Sequence, residues 1–146
     1  STYDVYKLVI SNMQPVTDNK NMIFRITKSG SADDTSNYDH SATILTSNTS
    51  YSNTSGTNAS SSTFAFSLSN VANEKANAVL YLFNFNNASE YSFVTLETTQ
   101  YQNGGLQRGA QGGGVHTVAS ASDGIQFYPN SGNIDSGTFT LYGLKK

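Results

Sequence analysis

The sequence predicts an all-β protein, an antiparallel β-sandwich of jelly-roll type with about eight or nine strands, folded as a single domain over residues 1–146. Apolar and polar residues alternate with a period of two in many short segments, as expected of strands with one buried face. Long segments with helical periodicity are absent. Nine tyrosines and eight phenylalanines supply the large apolar side chains that a core between two sheets requires.

Four of the predicted strands precede residue 70. In the first, residues 5–13, apolar side chains alternate until Pro15, which lacks the N–H that a strand donates. In the second, residues 22–27, Met, Phe and Ile alternate before a Ser-Gly-Ser turn. A shorter strand is expected over 41–45. Residues 64–69 have the most regular pattern, with Phe and Leu alternating with Ala and Ser.

Five predicted strands follow. Residues 78–85 and 91–98 are apolar segments separated by a polar turn, and we expect them to form a hairpin. About one helical turn near residues 72–78 is the only candidate for helix. The three remaining strands are predicted over residues 115–119, 125–128 and 138–142.

Two long segments between these strands are predicted to be loops. Residues 46–63 consist almost entirely of Ser, Thr and Asn, too few apolar side chains to fold alone. Residues 102–114 contain six glycines and a single charged residue. Loops of this length are uncommon in compact domains unless they are functional or disordered. We therefore expect both loops to be contact surfaces.

Composition argues against several classes of function. The net charge of −2 provides no basic face for a phosphate backbone, so nucleic-acid binding is not expected. No apolar segment reaches the roughly 20 residues that span a bilayer, so no membrane partner is predicted. Cysteine is absent, which excludes disulfides and thiolate metal ligands.

Several aromatic and polar residues near the predicted loops are candidate contact residues. Tyrosine rings stack on sugars and are favoured at protein interfaces. An arginine in a loop can form hydrogen bonds with a carboxylate. The absence of tryptophan weakens the prediction of carbohydrate binding. The candidates are Tyr38, Asn48, Tyr51, Asn53, Tyr101 and Arg108.

No residue pattern indicates catalysis, a cofactor or a metal. Glu97 lies an odd number of positions after Glu90, so a regular strand places the two carboxylates on opposite faces. That arrangement does not suit the paired carboxylates of a glycosidase. Asp33 and Asp39 lie near Tyr38, but the spacing of a calcium-binding loop is missing. The glycine-rich segment leads into a β pattern without the lysine of a P-loop. We predict a protein that is not an enzyme and holds no cofactor or metal.

Two segments resemble parts of a known protein family. Residues 134–144, Ile-Asp-Ser-Gly-Thr-Phe-Thr-Leu-Tyr-Gly-Leu, resemble the closing strand of small β-sandwich proteins found on the particles of tailed bacteriophages. Residues 3–27, with Asp-Val-Tyr-Lys-Leu-Val-Ile and later Met-Ile-Phe-Arg-Ile, resemble the opening pair of strands of those proteins.

This resemblance implies a non-enzymatic structural protein on the exterior of the virion. Two placements are open: a capsid decoration or minor capsid-surface protein, and a tail-fibre or adhesin domain that binds host glycans. The strand pattern runs from Tyr3 to Leu144 without a stalk-like repeat, which favours decoration. The expected partners are other virion proteins and further copies of this chain. We expect a homo-oligomer, a trimer, with an exposed sheet edge buried between copies.

Overall fold

A computed structural model describes residues 3–145, and their regular secondary structure consists of eleven antiparallel strands without a helix. The predicted all-β antiparallel class is confirmed, with eleven strands instead of eight or nine. In chain order they are β1 (Val5–Pro15), β2 (Lys20–Lys28), β3 (Ser31–Ala32), β4 (Tyr38–Thr46), β5 (Tyr51–Ala59), β6 (Ser62–Leu68), β7 (Ala76–Phe83), β8 (Ser92–Gln102), β9 (Leu106–His116), β10 (Gly124–Pro129) and β11 (Ile134–Leu144).

The strands are hydrogen-bonded into a sheet that curls into a half-barrel. Seven of them lie side by side in the order β5-β4-β9-β8-β7-β1-β11. A smaller group, β6-β2-β10, joins this run through a single residue pair, Leu68 of β6 with Gln102 of β8, and β3 adds to β2. The curl brings the smaller group over the inner face of the seven strands, and the core lies between them.

Aromatic side chains of the smaller group fill the centre of the core. The ring of Phe64 lies 6.3 Å from that of Phe24 and 5.7 Å from that of Phe127. Leu80 of β7 and Leu96 of β8 are buried on the facing strands. Along β8 every second residue is buried, which is the period-two pattern that the sequence predicted.

The predicted loop over residues 46–63 is wrong for most of its length. A turn at residues 47–50 is closed by the Thr46 N–H, which donates to the Ser50 carbonyl at 2.9 Å. The chain then forms β5, which pairs with β4 along most of its length. Because an edge strand needs only backbone hydrogen bonds from its neighbour, its side chains can be polar on both faces. The Ser/Thr/Asn composition therefore concealed a strand.

The predicted loop over residues 102–114 is also wrong. After a short turn at residues 103–105, the chain forms β9, which pairs with β8 on one side and β4 on the other over its whole length. Glycines occur where the neighbouring strands come too close for a side chain. A Cβ atom on Gly113, for example, would lie 2.5 Å from the carbonyl oxygen of Val94.

Smaller differences concern the ends of elements. Residues 72–78 form a turn, closed by the Glu74 N–H on the Val71 carbonyl at 2.9 Å, followed by the start of β7. The predicted hairpin is confirmed as β7 paired with β8. The strand predicted over residues 115–119 is the end of β9, which stops at His116.

Candidate functional site

The candidate site is an apolar opening between strands β10 and β11, which we call the β10–β11 cleft. The two strands approach each other where the rings of Phe127 and Phe139 lie 5.3 Å apart. The cleft opens towards Gly124 and Leu141, because β10 belongs to the smaller strand group and β11 to the larger. Its volume is about 390 Å³. The main apolar side chains that line it are Leu8, Leu82, Phe85, Ile125, Phe139 and Leu141.

Side-chain alternation along β11 leaves apolar groups uncovered at this cleft. Phe139 and Leu141 lie opposite Ile10 and Leu8 of β1, so these four side chains share the inner face. Ile10 and Leu8 are buried, whereas Leu141 is 58% exposed. Within residues 3–145, no strand continues the sheet beyond β11. The rim of the inner face is therefore accessible to a binding partner.

Two strand edges border the cleft. In the part of the chain that the structure describes, β10 has only β2 as a ladder partner and β11 has only β1. The other edge of each strand presents backbone N–H and C=O groups, which form a template for an added strand. The site thus combines an apolar surface with backbone donors and acceptors, which suits protein association.

One carboxylate, that of Asp123, lies among the residues that line the cleft. It accepts hydrogen bonds from the Thr27 hydroxyl at 2.6 Å and from the Gly30 N–H at 2.7 Å. These two hydrogen bonds lower the pKa of the Asp123 carboxyl. Asp123 therefore holds the turn after β2 in place. Among residues 3–145, the lining includes no second carboxylate of the kind that a glycosidase pair requires.

Tyr38 is a core residue, so its prediction as a contact residue is wrong. Its side chain is 1% exposed. Its hydroxyl donates to the Asp33 carbonyl at 2.8 Å and accepts from the Ile26 N–H at 2.9 Å. Burial raises the pKa of the Tyr38 hydroxyl to about 12. This tyrosine links the start of β4 to β2.

Arg108 does not lie in a loop as predicted, whereas Asn48 lies exposed in a turn. Arg108 belongs to β9 and is paired with Thr46 of β4 and Gln100 of β8, and partial burial lowers the pKa of its guanidinium. Asn48 lies in the turn between β4 and β5, where its side-chain oxygen accepts the Ser50 N–H at 3.2 Å. Asn48 therefore stabilises its own turn, while Arg108 Nε is buried without a hydrogen-bond partner.

The other three candidates lie on the outward face of the sheet. Tyr51, 74% exposed, and Asn53 belong to β5, and Tyr101 belongs to β8. Strands β4 and β9 separate β5 from β8. The structure therefore does not gather the six predicted residues into one site, and none of them lines the cleft.

Sequence reasoning missed the apolar residues of the cleft. The alternation that places Phe139 and Leu141 on one face was visible in the sequence. The same alternation also fits an interior strand, which has a neighbouring strand at each edge. Their exposure depends on β11 being an edge strand, which the alternation does not reveal. Their charge content pointed the other way, because residues 134–144 carry a single charged side chain and edge strands are usually protected by charges.

A buried polar cluster lies away from the cleft, at the start of β4. The Asp33 carboxylate lies 2.9 Å from His116 Nε2 and 3.0 Å from Lys28 Nζ. Burial alone would raise the pKa of Asp33, but hydrogen bonds from Thr35, Lys28 and His116 outweigh it and hold that pKa well below its usual range. Ser92 is paired with His116 across the strands, yet the Ser92 hydroxyl and His116 Nδ1 are both buried without a hydrogen-bond partner. The Ser92 and His116 side chains of this set are enclosed, at 0% and 1% exposed.

The two histidines predict a loss of stability in mild acid. Burial lowers the pKa of His116 and of His40, although Asp33 and Asp39 respectively oppose the shift, and Lys28 adds to it at His116. The unfolded chain, with histidine pKa values near 6.5, then binds more protons than the folded one. The free energy of unfolding should fall as the pH drops below about 6.5, by up to about 1.4 kcal/mol per pH unit for each histidine.

Urea unfolding across a pH series from about 7.5 to about 5 measures this dependence. The double variant His40→Gln/His116→Gln serves as the control and should lose most of the slope. If the free energy of unfolding falls with pH equally steeply in the wild type and the double variant, the loss of stability does not come from these two histidines.

Within residues 3–145, no cluster of three or more His, Cys, Asp or Glu side chains is arranged to hold a metal ion. No helix in that range has the length and hydrophobicity needed to cross a bilayer.

No protein-family model, curated protein or solved structure matches this chain. The interpretation of the site therefore depends on its geometry and on the resemblance described for residues 3–27 and 134–144.

Proposed function

We propose that this chain is a non-enzymatic structural protein of a bacteriophage particle, displayed on the virion exterior as a capsid decoration or minor capsid-surface protein. The observation that carries the proposal is the β10–β11 cleft, an apolar opening beside two unpaired strand edges. One of its walls, residues 134–144, is the segment that resembles the closing strand of such proteins. The resemblance also supports a jelly-roll-like sandwich, in which β6-β2-β10 forms the second sheet.

The chemistry of the cleft favours attachment to other virion proteins. Transfer of apolar surface from water stabilises association by about 25 cal/mol per Å², and the exposed side chain of Leu141 is available for it. A capsid repeats its binding sites by symmetry. If this chain is a homo-oligomer, its subunits can bind several of these sites at once, so modest individual contacts add up to stable attachment.

A second candidate is a tail-fibre or adhesin domain that binds a host-surface glycan. The outward position of Tyr51, Asn53 and Tyr101 favours it, because tyrosine rings stack on sugars and amides bond to hydroxyl groups. These residues lie on strands separated by two others, which offers an extended surface without a pocket.

Re-binding of the purified chain to particles produced without it tests attachment. The wild type should co-sediment with the particles saturably, and Leu141→Asp should weaken binding at least tenfold because it places a charge in the cleft. Leu45→Asp is the matched control, since Leu45 is 59% exposed on the outward face of β4. Equal binding by both variants, or binding abolished only by Tyr51→Ala or Tyr101→Ala, would contradict attachment through the cleft.

A further inference from the structure

Strand β11 has an unprotected outer edge. It pairs with β1 on one side over most of its eleven residues, and eight of those residues are exposed. Natural edge strands are usually protected by lysines, prolines, inward charges or short length. Between Thr138 and Leu144, β11 contains neither a charged residue nor a proline. An edge of this length and composition needs a partner.

The two faces of β11 define the partner it fits. Phe139 and Leu141 face inward, and the intervening Thr140 and Tyr142 face outward. An added strand should therefore carry apolar residues on its inner face and hydroxyl-bearing residues on its outer face. β11 itself has this pattern, so a second copy of the same strand satisfies the requirement.

We propose that two copies of this chain pair antiparallel through their β11 edges, in a two-fold symmetric dimer centred on Thr140. In this register Phe139 of each copy lies opposite Leu141 of the other, and the two Thr140 residues face each other across the axis. The inner apolar faces of the two half-barrels then become continuous. Each Leu141 gains an aromatic neighbour in place of water.

Charge complementarity selects this register. Asp135 and Lys145 are the only charged residues between 134 and 145, and each lies five positions from Thr140. Both are exposed. Antiparallel pairing about Thr140 brings Asp135, at the irregular start of β11, near Lys145, which follows β11 in the other copy, so opposite charges meet at both ends. A parallel arrangement would instead bring like charges together at both ends.

Symmetry is the reason for choosing a second copy over an unrelated strand. A two-fold interface uses the same surface on both subunits, so a single pairing event protects the β11 edges of both copies. The dimer replaces the trimer expected above. This inference goes beyond the proposed function, because the pairing requires only β11 and not a virus particle. Since the pairing covers Leu141, other virion proteins would then contact the β10 side of the cleft.

Charge reversal in the full chain, followed by sedimentation equilibrium, tests the pairing. The wild type should be a dimer, and Asp135→Lys or Lys145→Asp alone should raise the dimer dissociation constant at least tenfold, since each replaces two attractions by two repulsions. The double variant Asp135→Lys/Lys145→Asp should restore the wild-type constant to within a few-fold. Asp34→Lys, at an exposed position outside β11, changes the net charge by the same amount as Asp135→Lys and should leave the constant unaltered.

Amide hydrogen exchange gives a second readout that does not depend on charge. Residues 138–144 should gain protection as the protein concentration rises through the dimer dissociation constant, while β5 at the opposite edge should not. A wild type that is monomeric or trimeric, or a dimer unaffected by the single charge reversals, would overturn the proposal.

Discussion

Replacing Gly112 with alanine should destabilise the protein by about 3 kcal/mol, at the upper end of the range for overpacked interiors. Gly112 lies in β9 between two paired strands. Its φ is ordinary, so the barrier is space and not backbone strain. An added Cβ would overlap the Ser41 carbonyl oxygen and lie 2.6 Å from the Ala42 Cα. Backbone atoms cannot move aside as a flexible side chain can, so the β4–β9 ladder itself would have to shift.

Gly109 of the same strand provides the matched control. A Cβ there would lie 3.4 Å from the Thr98 carbonyl oxygen, which is close to an ordinary contact. Gly109→Ala should therefore change the free energy of unfolding by less than about 0.5 kcal/mol. Urea unfolding measures the free energy of unfolding of the two variants. An interior strand predicts a large loss for Gly112→Ala only, whereas a flexible glycine-rich loop would tolerate both substitutions equally.

Replacing Asp33 with alanine should lower the free energy of unfolding by about 2–3 kcal/mol, the effect of removing a charged hydrogen-bond acceptor from partly buried partners. Its carboxylate lies against Lys28 and the buried His116 and accepts hydrogen bonds from Thr35. Without it, Lys28 and His116 Nε2 lose their shared partner. The pKa of Asp33 is lower in the folded protein than in the unfolded chain, where it is near 3.9. The stabilisation that Asp33 provides is therefore complete above about pH 3.9 and is lost as the pH falls below that value.

Asp34, the next residue, is the control for this substitution. It is exposed and forms no ion pair within residues 3–145. Asp34→Ala should alter stability by less than about 0.5 kcal/mol. Chemical unfolding at neutral pH compares the two variants directly, and a similar small effect for both would show that the buried cluster contributes little to stability.

Much of the fold was predictable because half-buried strands carry their pattern locally. Phe64, Phe66 and Leu68 alternate with small residues, and the structure places them in β6 with these side chains buried. The hairpin of β7 and β8 was predictable for the same reason, since both strands and the turn are adjacent in the sequence. In these segments, the strands indicated by the side-chain pattern are the strands that the backbone pairing forms.

The two long strands that sequence reasoning missed, β5 and β9, each follow a tight turn and pair with the preceding strand, but neither carries the apolar alternation of a half-buried strand. β9 pairs with β4, about 70 residues earlier, and its glycines are explained only by the close approach of Ser41 and Val94. β5 has few apolar side chains and is stabilised by the backbone ladder with β4. Composition alone assigns such segments to loops, because backbone pairing and close approach to a neighbouring strand leave no apolar alternation in their own sequence.

The candidate site was less predictable than the fold. Whether Leu141 is buried or exposed depends on strand order, and β11 could equally have been an interior strand with the same sequence pattern. Tyr38 illustrates the opposite error, since a tyrosine at a predicted loop end is in fact bonded within the core. Contact surfaces depend on which edges of the sheet remain unpaired, and this is a property of the whole topology.

Association is the property that links the cleft, the free edge of β11 and the proposed place on a particle. An apolar rim beside unpaired strand edges is a liability for a lone domain and an advantage for a subunit of an assembly. The buried Asp33 cluster and the close packing of β9 supply a stable scaffold behind that rim. Occupation of the rim by other proteins is therefore the central expectation for this chain.

Immunogold labelling of intact particles from the source virus tests that expectation most directly, with an antibody against this chain and particles produced without it as the control. We predict label spread over the capsid surface. Label confined to the tail would support the adhesin function instead, and particles without label would contradict the assignment to the virion.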